Sequence, residues 1–300
     1  MKIAIAGGTG FVGKALTNYL LQQGHSVYIL TRNTYNRHSE ENITYVEWLT
    51  DSSNPEAHLS GINAFINFSG ESLNSGRWTK ERKQRIIDSR LEATREVNRI
   101  LSILPTKPEV LLNASAIGIY GTSLEGTYTE ETSQKGNDFL ANTVEAWEKE
   151  AAQAEELGMR VCFLRLGVVL GKEGGALGRM VLPYRFFAGG TIGTGQQWLS
   201  WVHIDDVIRS TDLLLHKKNI SGPVNLTAPN PMKMKNFGKT IGKSLGRPHW
   251  LPVPGFALKL LLGEMSILVL EGQRVLPQKL LENGYEFTYE TANAALESIL

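Results

Sequence analysis

Short runs of apolar residues alternate with longer amphipathic stretches over the first two thirds of the chain. The short runs are rich in β-branched residues and are typical of buried strands, whereas the longer stretches repeat apolar positions at helical spacing. Predicted strands lie at 2–6, 26–31, 43–47, 62–68, 109–115 and 160–167, and predicted helices lie at 11–23, 79–103 and 138–157. This alternation predicts an α/β fold, a Rossmann-like doubly wound parallel sheet.

The pattern changes beyond residue 170, where glycines interrupt the chain and a proline-rich stretch later precedes a predicted helix at 290–298. We expect a Rossmann-like domain over 1–228, with insertions from about 171–200 that contribute to a substrate lobe. A small C-terminal domain is expected at 249–298. Together these later segments predict a smaller C-terminal substrate lobe.

A glycine turn follows the first predicted strand and opens the first predicted helix. Its sequence is Gly7-Gly8-Thr9-Gly10-Phe11-Val12-Gly13. A turn in this position brings backbone N–H groups and a helix N-terminus against a pyrophosphate. We therefore predict that Gly7, Thr9, Gly10, Phe11, Val12 and Gly13 bind a dinucleotide cofactor.

The sequence of this turn resembles that of the short-chain dehydrogenase/reductase superfamily, in particular its extended, sugar-nucleotide-epimerase-like branch. An acidic residue after the second strand selects NAD in such folds, but here the strand ends in Thr31-Arg32-Asn33. The guanidinium of Arg32 could pair with a 2′-phosphate and stack on the adenine. This favours NADP(H) as the cofactor, the alternative being an ordinary surface arginine.

The resemblance also implies a catalytic tyrosine and a lysine four residues later on the helix after the fifth strand. By position, Phe139 and Thr143 stand there, and neither can transfer the proton or supply the charge. The catalytic hydroxyl position falls on Ala116, with Ser115 one residue away. Tyr120 could be a surviving acid or a packing aromatic.

Further sequence segments resemble those of an atypical "epimerase family" group of short-chain reductases that carries a small C-terminal domain of unknown function. They include Asn67-Phe68-Ser69-Gly70-Glu71, Asp138-Phe139-Leu140, Leu164-Arg165-Leu166-Gly167 and Trp198-Leu199-Ser200-Trp201-Val202-His203. The resemblance spans essentially the whole chain. It implies NADP binding and an altered tyrosine–lysine pair as the normal state of the group.

Other candidate site residues follow from their places after the predicted strands. Ser69, Gly70, Glu71, Ser115 and Gly167 would border the cofactor. Arg90 could hold a phosphate or an anionic substrate.

Four residues are candidates for catalysis, namely Tyr120, Ser115, Glu71 and His203. Glu71 could instead be a helix-start carboxylate. His203 could titrate near neutral pH or could bond to the start of the next helix.

Bulk properties exclude several other classes of function. The net charge is only +1 and charged residues make up 20% of the chain, so neither nucleic acid nor a membrane surface is an expected partner. The single cysteine, Cys162, excludes a disulfide framework, and the six histidines show no metal-ligand spacing. With no charged leader, a cytoplasmic protein is expected. The resemblance alone suggests a homodimer through the helices at 79–103 and 138–157.

The sequence thus predicts an NADP(H)-dependent oxidoreductase or epimerase acting on a small carbonyl, hydroxyl or nucleotide-sugar substrate. The missing tyrosine and lysine leave an alternative of another class, a non-catalytic NADP(H)-binding sensor or scaffold.

Overall fold

The computed structural model describes residues 1–35 and 37–300. Thirteen strands are found there. They are β1 (Lys2–Ala6), β2 (Ser26–Thr31), β3 (Ile43–Glu47), β4 (Ala64–Asn67), β5 (Val110–Ala116), β6 (Thr127–Tyr128), β7 (Arg160–Leu166), β8 (Val168–Leu170), β9 (Trp198–Leu199), β10 (Trp201–His203), β11 (Gly222–Leu226), β12 (Met232–Lys233) and β13 (Arg274–Val275).

Ten α-helices connect and cover these strands. They are α1 (Phe11–Gln22), α2 (Lys80–Ile103), α3 (Phe139–Ala152), α4 (Leu177–Arg185), α5 (Ile204–His216), α6 (Met234–Leu245), α7 (Gly255–Leu262), α8 (Ile267–Leu270), α9 (Gln278–Glu282) and α10 (Ala292–Ile299). Among the described residues, no helix is both long enough and apolar enough to cross a membrane.

Seven strands form one parallel sheet in the order β11-β7-β5-β4-β1-β2-β3. From β1 the chain builds the sheet in one direction through β2 and β3, then returns to place β4 on the other side of β1. This reversal opens a crevice at the carboxyl ends of β1 and β4, where ligands of such sheets bind. The predicted Rossmann-like fold class is confirmed.

Alternate residues of each strand bury opposite faces of the sheet, because side chains in a strand point to the two faces in turn. Ile3 and Ile5 of β1 pack in one core cluster with α1 and α5, and Ala4 and Ala6 pack in another with α2 and α3. Because helices cover both faces of the sheet, both sets of side chains in each strand are buried, and the strand sequences are nearly continuous apolar runs.

The predicted elements agree closely with the observed ones in the first two thirds of the chain. The strand predicted at 62–68 is shorter, Ala64–Asn67, and the helix predicted at 138–157 ends at Ala152 and continues as a 3₁₀ helix, Gln153–Leu157. Asp138 accepts hydrogen bonds from the backbone N–H groups of Leu140 and Ala141, which fixes the start of α3.

Three two-stranded pairs outside the large sheet, β8–β10, β9–β12 and β6–β13, contribute to a smaller lobe that is built mainly from the later segments. Its core lies between α4, α6 and α10 and contains the fully buried Trp201 and Phe237. Asp206 of α5, 1% exposed, attaches this lobe to the sheet domain by accepting hydrogen bonds from Tyr285, Thr288 and Tyr289.

Candidate functional site

The glycine turn after β1 packs so closely that added side chains would clash with neighbouring backbone atoms. Gly7 adopts a φ of +78°, and a Cβ atom there would lie 2.6 Å from the carbonyl carbon of Phe68. A Cβ atom on Gly13 would lie 2.2 Å from the carbonyl oxygen of Gly7. The turn therefore packs against β4 and α1 at distances that only glycine permits.

Helix α1 begins at this turn with its first N–H groups available. Gly10 is the N-cap, no side chain of the described residues caps the helix, and its first turn holds no acidic residue. The first N–H groups of a helix have no partner within the helix and attract anions. Both Thr9 and Gly10 are exposed at this end.

A cleft of about 600 Å³ opens above the carboxyl ends of β1, β4, β5 and β7. Ten residues predicted from the sequence line it. They are Gly7, Gly10, Phe11, Val12, Gly13, Ser69, Gly70, Arg90, Ser115 and Gly167. The structure brings these residues together, while Thr9, Arg32, Glu71, Tyr120 and His203 lie outside the lining.

Arg32 directly follows the last residue of β2 and is exposed. Beside it, the side chain of Asn33 accepts a hydrogen bond from the backbone N–H of Tyr35 at 2.8 Å. Arg32 therefore stands at the carboxyl edge of the sheet, one strand away from the glycine turn.

Buried polar side chains hold the wall of the cleft that follows β4. The Nδ2 atom of Asn67 donates to the side-chain oxygen of Asn113 at 2.7 Å, and its Oδ1 accepts from the backbone N–H of Ser69 at 3.1 Å. The hydroxyl of Ser69 also bonds to Asn67. These bonds fix Ser69 and Gly70 against the cleft.

Glu71 forms an ion pair with Arg82 and does not line the cleft. Arg90 does line it, with its guanidinium 5.1 Å from the ring centroid of Trp147 and bonds to the carbonyls of Glu71 and Ile86. Burial lowers the pKa of Arg90 to about 10, so it remains a cation at neutral pH.

The face of α3 that borders the cleft carries neither a tyrosine nor a lysine. Phe139 packs edge-on against Trp78, with ring centroids 5.2 Å apart. The hydroxyl of Thr143 donates to the carbonyl of Phe139 at 2.7 Å. The usual proton-transfer pair is therefore absent from this helix, as its sequence predicts.

Ser115 begins a buried polar network that leads away from the cleft. Its hydroxyl donates to Glu148 at 2.5 Å, and Glu148 is held by two bonds of 2.8 Å from Arg165. Arg165 also donates to the hydroxyl of Tyr120 at 2.9 Å, and Tyr120 in turn donates to Asn225 at 2.8 Å.

Tyr120 is thus inside the protein, 3% exposed, and stacks on Tyr128. Burial raises the pKa of Tyr120, which makes its hydroxyl a weaker acid. The packing interpretation of Tyr120 matches this placement, whereas Ser115 is the catalytic candidate that reaches the cleft.

His203 is buried beneath the C-terminal lobe, with its ring 3.8 Å from that of Tyr289. Its Nδ1 accepts from the backbone N–H of Asp205 at 3.1 Å, and its Nε2 lies 3.3 Å from the hydroxyl of Ser298. Burial lowers the pKa of His203. The residue caps α5 and contacts α10 instead of the cleft.

One wall of the cleft, which the C-terminal segment supplies, was not predicted from the sequence. Glu271, Gly272 and Gln273 line the cleft, and the hydroxyl of Thr122 donates to Glu271 at 2.7 Å. A Cβ atom on Gly272 would lie 2.0 Å from the carbonyl oxygen of Trp198, so the segment packs backbone to backbone. A glycine in the sequence can indicate that another segment packs closely against it, but the sequence does not reveal that this segment is the one at Trp198.

A group of metal-type ligands lies away from the cleft. One ligand atom each from His25, Asp212 and His216 fall within 4.8 Å of one another. Asp212 and His216 are four residues apart on α5, while His25 precedes β2 at the opposite end of the sheet. This grouping was not predicted from the sequence.

Comparison with known proteins places these features in a family. The model of the "NAD dependent epimerase/dehydratase family" matches residues 3–226, and that of a domain of unknown function, DUF1731, matches residues 253–299. The epimerase family protein YfhF of Bacillus subtilis is 51% identical, over 100% of this chain and 98% of that protein.

Solved structures show the same likeness. Human epimerase family protein SDR39U1, crystallised with NADPH, superposes with a TM-score of 0.87 at 30% identity, covering 100% of this chain and 99% of that chain. A nucleoside-diphosphate sugar epimerase of Corynebacterium glutamicum superposes with a TM-score of 0.78 at 29% identity, covering 99% of this chain and 57% of that chain. This chain therefore belongs to the NAD dependent epimerase/dehydratase family.

Proposed function

We propose that the protein is an NADP(H)-dependent oxidoreductase or epimerase that acts on a small carbonyl or hydroxyl compound in the cleft above β1, β4 and β5. The observation that carries the proposal is the glycine turn at the end of β1, whose crowded backbone and uncapped helix fit a pyrophosphate. The NADPH bound to human SDR39U1, a relative of the same length, supports it.

The residues along one side of the cleft fit a dinucleotide. The first N–H groups of α1 would hold the pyrophosphate, since no capping side chain among the described residues and no acidic residue of the first turn competes for them. Ser69 and Gly70 would border the ribose, and Gly167 lies where β7 ends. A Cβ atom on Gly167 would lie 2.6 Å from the carbonyl of Ser200, which keeps this wall tight.

Arg32 would select NADP(H) over NAD(H). It is exposed at the end of β2, the position from which an acidic residue would hold the adenosine ribose in NAD-selective folds. A guanidinium here can bond a 2′-phosphate bidentately.

The cofactor would supply or accept hydride, and the chain must then handle a proton. Two hydroxyls in the cleft, those of Ser115 and Thr122, each donate to a carboxylate, at 2.5 Å to Glu148 and 2.7 Å to Glu271. Each hydroxyl could take a proton from a substrate alcohol while passing its own to the carboxylate. These pairs replace the absent tyrosine and lysine in our proposal.

The proposal is tested by titrating the purified protein with NADPH and NADH and following nicotinamide fluorescence. In Arg32→Glu, NADPH should bind about 10- to 100-fold more weakly, since a charge-assisted bond is worth about 1.5–3 kcal/mol. NADH affinity should change less than about threefold, because NADH lacks the phosphate.

Arg85→Glu is the matched control, since Arg85 is an exposed arginine on α2 and its replacement changes the net charge equally. Equal losses for both nucleotides in Arg32→Glu would refute the assignment of the 2′-phosphate. Tight NADPH binding without turnover of any carbonyl or alcohol would favour the alternative, an NADP(H)-binding sensor or scaffold. The absence of a tyrosine and a lysine from the cleft face of α3 is the observation behind that alternative.

A further inference from the structure

The part of the cleft built by the β5–α3 connection and the C-terminal third of the chain has mainly apolar walls. Its apolar side chains come from five separate segments. They include Ile117, Leu140, Trp198, Leu199, Met234, Ile267 and Leu268. None of these residues belongs to the glycine turn or to the Ser69–Gly70 wall, so with a cofactor bound there they would face the part of the cleft that remains for the substrate.

The charged side chains among the described lining residues are Arg90, Asp138 and Glu271. Arg90 is half-buried beside Gly70, on the cofactor side, and it already donates to two backbone carbonyls. Asp138 is occupied as the N-cap of α3, and Glu271 is an anion that would repel phosphate. Lys233 and Arg274 lie 3.9 and 5.3 Å from the ring centroid of Trp198, but neither is among the described lining residues, and they donate to the carbonyl of Leu124 and the hydroxyl of Thr127. Apart from Arg90, the described lining residues therefore offer no cation to a diphosphate, whose recognition calls for arginine or lysine.

One polar pair interrupts these walls, namely Thr122 and Glu271, joined by the 2.7 Å hydrogen bond. The other polar groups nearby are used within the protein, because Gln273 donates to the carbonyl of Ile117 and Ser200 donates to the carbonyl of Gln273. The other hydroxyl–carboxylate pair of the cleft, Ser115–Glu148, lies at the end of β5, so Thr122–Glu271 is the pair set within these apolar walls. Such a pair suits a ligand with one oxygen function and an apolar body.

We infer that the substrate is an uncharged aldehyde, ketone or alcohol with an extended apolar body, and not a nucleoside diphosphate sugar. The inference rests on the proposed function. In the reductive direction, the bound cofactor would supply hydride to the carbonyl carbon, and the substrate oxygen would take the proton of the Thr122 hydroxyl. Thr122 would regain a proton from Glu271 in the same step, once that exposed carboxylate has taken one up from solvent, so the products are the alcohol and the oxidised cofactor.

The test measures binding, so that it does not depend on finding the natural substrate. The full-length protein is first titrated with NADPH, and the saturated complex is then titrated with butanol, hexanol, octanol and UDP-glucose while nicotinamide fluorescence is followed. Alcohols cannot be reduced, so they report on the pocket alone. Each added methylene should tighten binding about fourfold, the transfer value of a buried CH₂, and UDP-glucose should bind more weakly than octanol.

Two leucines of the same segment provide the matched pair of variants. Leu268 lines the cleft, whereas Leu261 is 67% exposed and lies outside the lining. Leu268→Ala should weaken octanol binding about tenfold with little effect on NADPH, and Leu261→Ala should leave both affinities unchanged.

The outcomes separate the two proposals. Failure of NADPH to bind refutes the proposed function and the inference with it. NADPH saturation followed by no dependence on alkyl length, or by UDP-glucose binding more tightly than octanol, overturns the inference alone. Loss of octanol binding in Leu261→Ala and not in Leu268→Ala would place the alkyl site on the outer surface and would also overturn it.

Discussion

Asp206 offers a direct test of how the C-terminal lobe is attached to the sheet domain. Its Oδ1 accepts from the Tyr285 hydroxyl at 3.0 Å and from the Thr288 N–H at 2.8 Å, and its Oδ2 accepts from the Tyr289 N–H at 3.0 Å. The residue is 1% exposed, so water cannot replace these bonds. We expect Asp206→Asn to loosen this attachment.

The magnitude follows from the number and kind of bonds. An asparagine keeps only one of the two side-chain oxygens. Its NH₂ group, itself a donor, must then face a group that donated to the second oxygen of Asp206. The change removes the charge from two bonds and leaves a third donor unsatisfied, at a cost of about 1–3 kcal/mol for that donor alone. We expect the free energy of unfolding to fall by about 2–4 kcal/mol, which lowers the melting temperature by several degrees in a chain of this size.

The neighbouring Asp205→Asn is the matched control. Asp205 is 49% exposed, and its carboxylate lies 3.6 Å from the Nδ1 of His203, so its replacement should cost less than about 0.5 kcal/mol. Calorimetry gives the melting temperatures, and hydrogen exchange at Thr288 and Tyr289 locates the effect. Equal melting temperatures for the two variants, with unchanged exchange at these amides, would refute the role given to Asp206.

Two further predictions concern the glycine turn and pH. Gly13→Ala should weaken NADPH and NADH alike, by tenfold or more in fluorescence titrations, because its Cβ would lie 2.2 Å from the carbonyl of Gly7. Gly178→Ala, at a position with open space, should leave binding unchanged, and retained nucleotide affinity in Gly13→Ala would contradict this account. Burial lowers the pKa of His203, so below about pH 6.5 the unfolded chain takes up a proton that the folded chain binds less readily. The free energy of unfolding should therefore fall as the pH drops from 6.5 to 5. Urea unfolding should show a smaller fall in the His203→Gln variant than in the unmodified protein. An identical pH dependence in both proteins would argue against this contribution of His203.

Local sequence determined much of the sheet domain. Apolar runs of four to seven residues fixed the strands because both faces of a parallel sheet are covered, and the spacing of apolar residues fixed α1 and α2. The turn from Gly7 to Gly13 could be predicted because its backbone conformation and close packing are properties of neighbouring residues. The family resemblance and the fold class that it implied are confirmed.

The site itself depended on contacts that no local pattern reveals. Tyr120 and Ser115 are five residues apart on one segment, yet one is buried against Asn225 and the other reaches the cleft. His203 was a catalytic candidate by residue type, but the packing of α10 and Tyr289 encloses it.

The sequence by itself determined where the chain would form strands, helices and a nucleotide-binding turn, because those features depend on residues close together in the chain. Only the tertiary structure decided that Glu271 and Thr122, 149 residues apart, would meet across the cleft. Such a meeting depends on how two lobes pack, and packing depends on the shapes of many buried side chains at once.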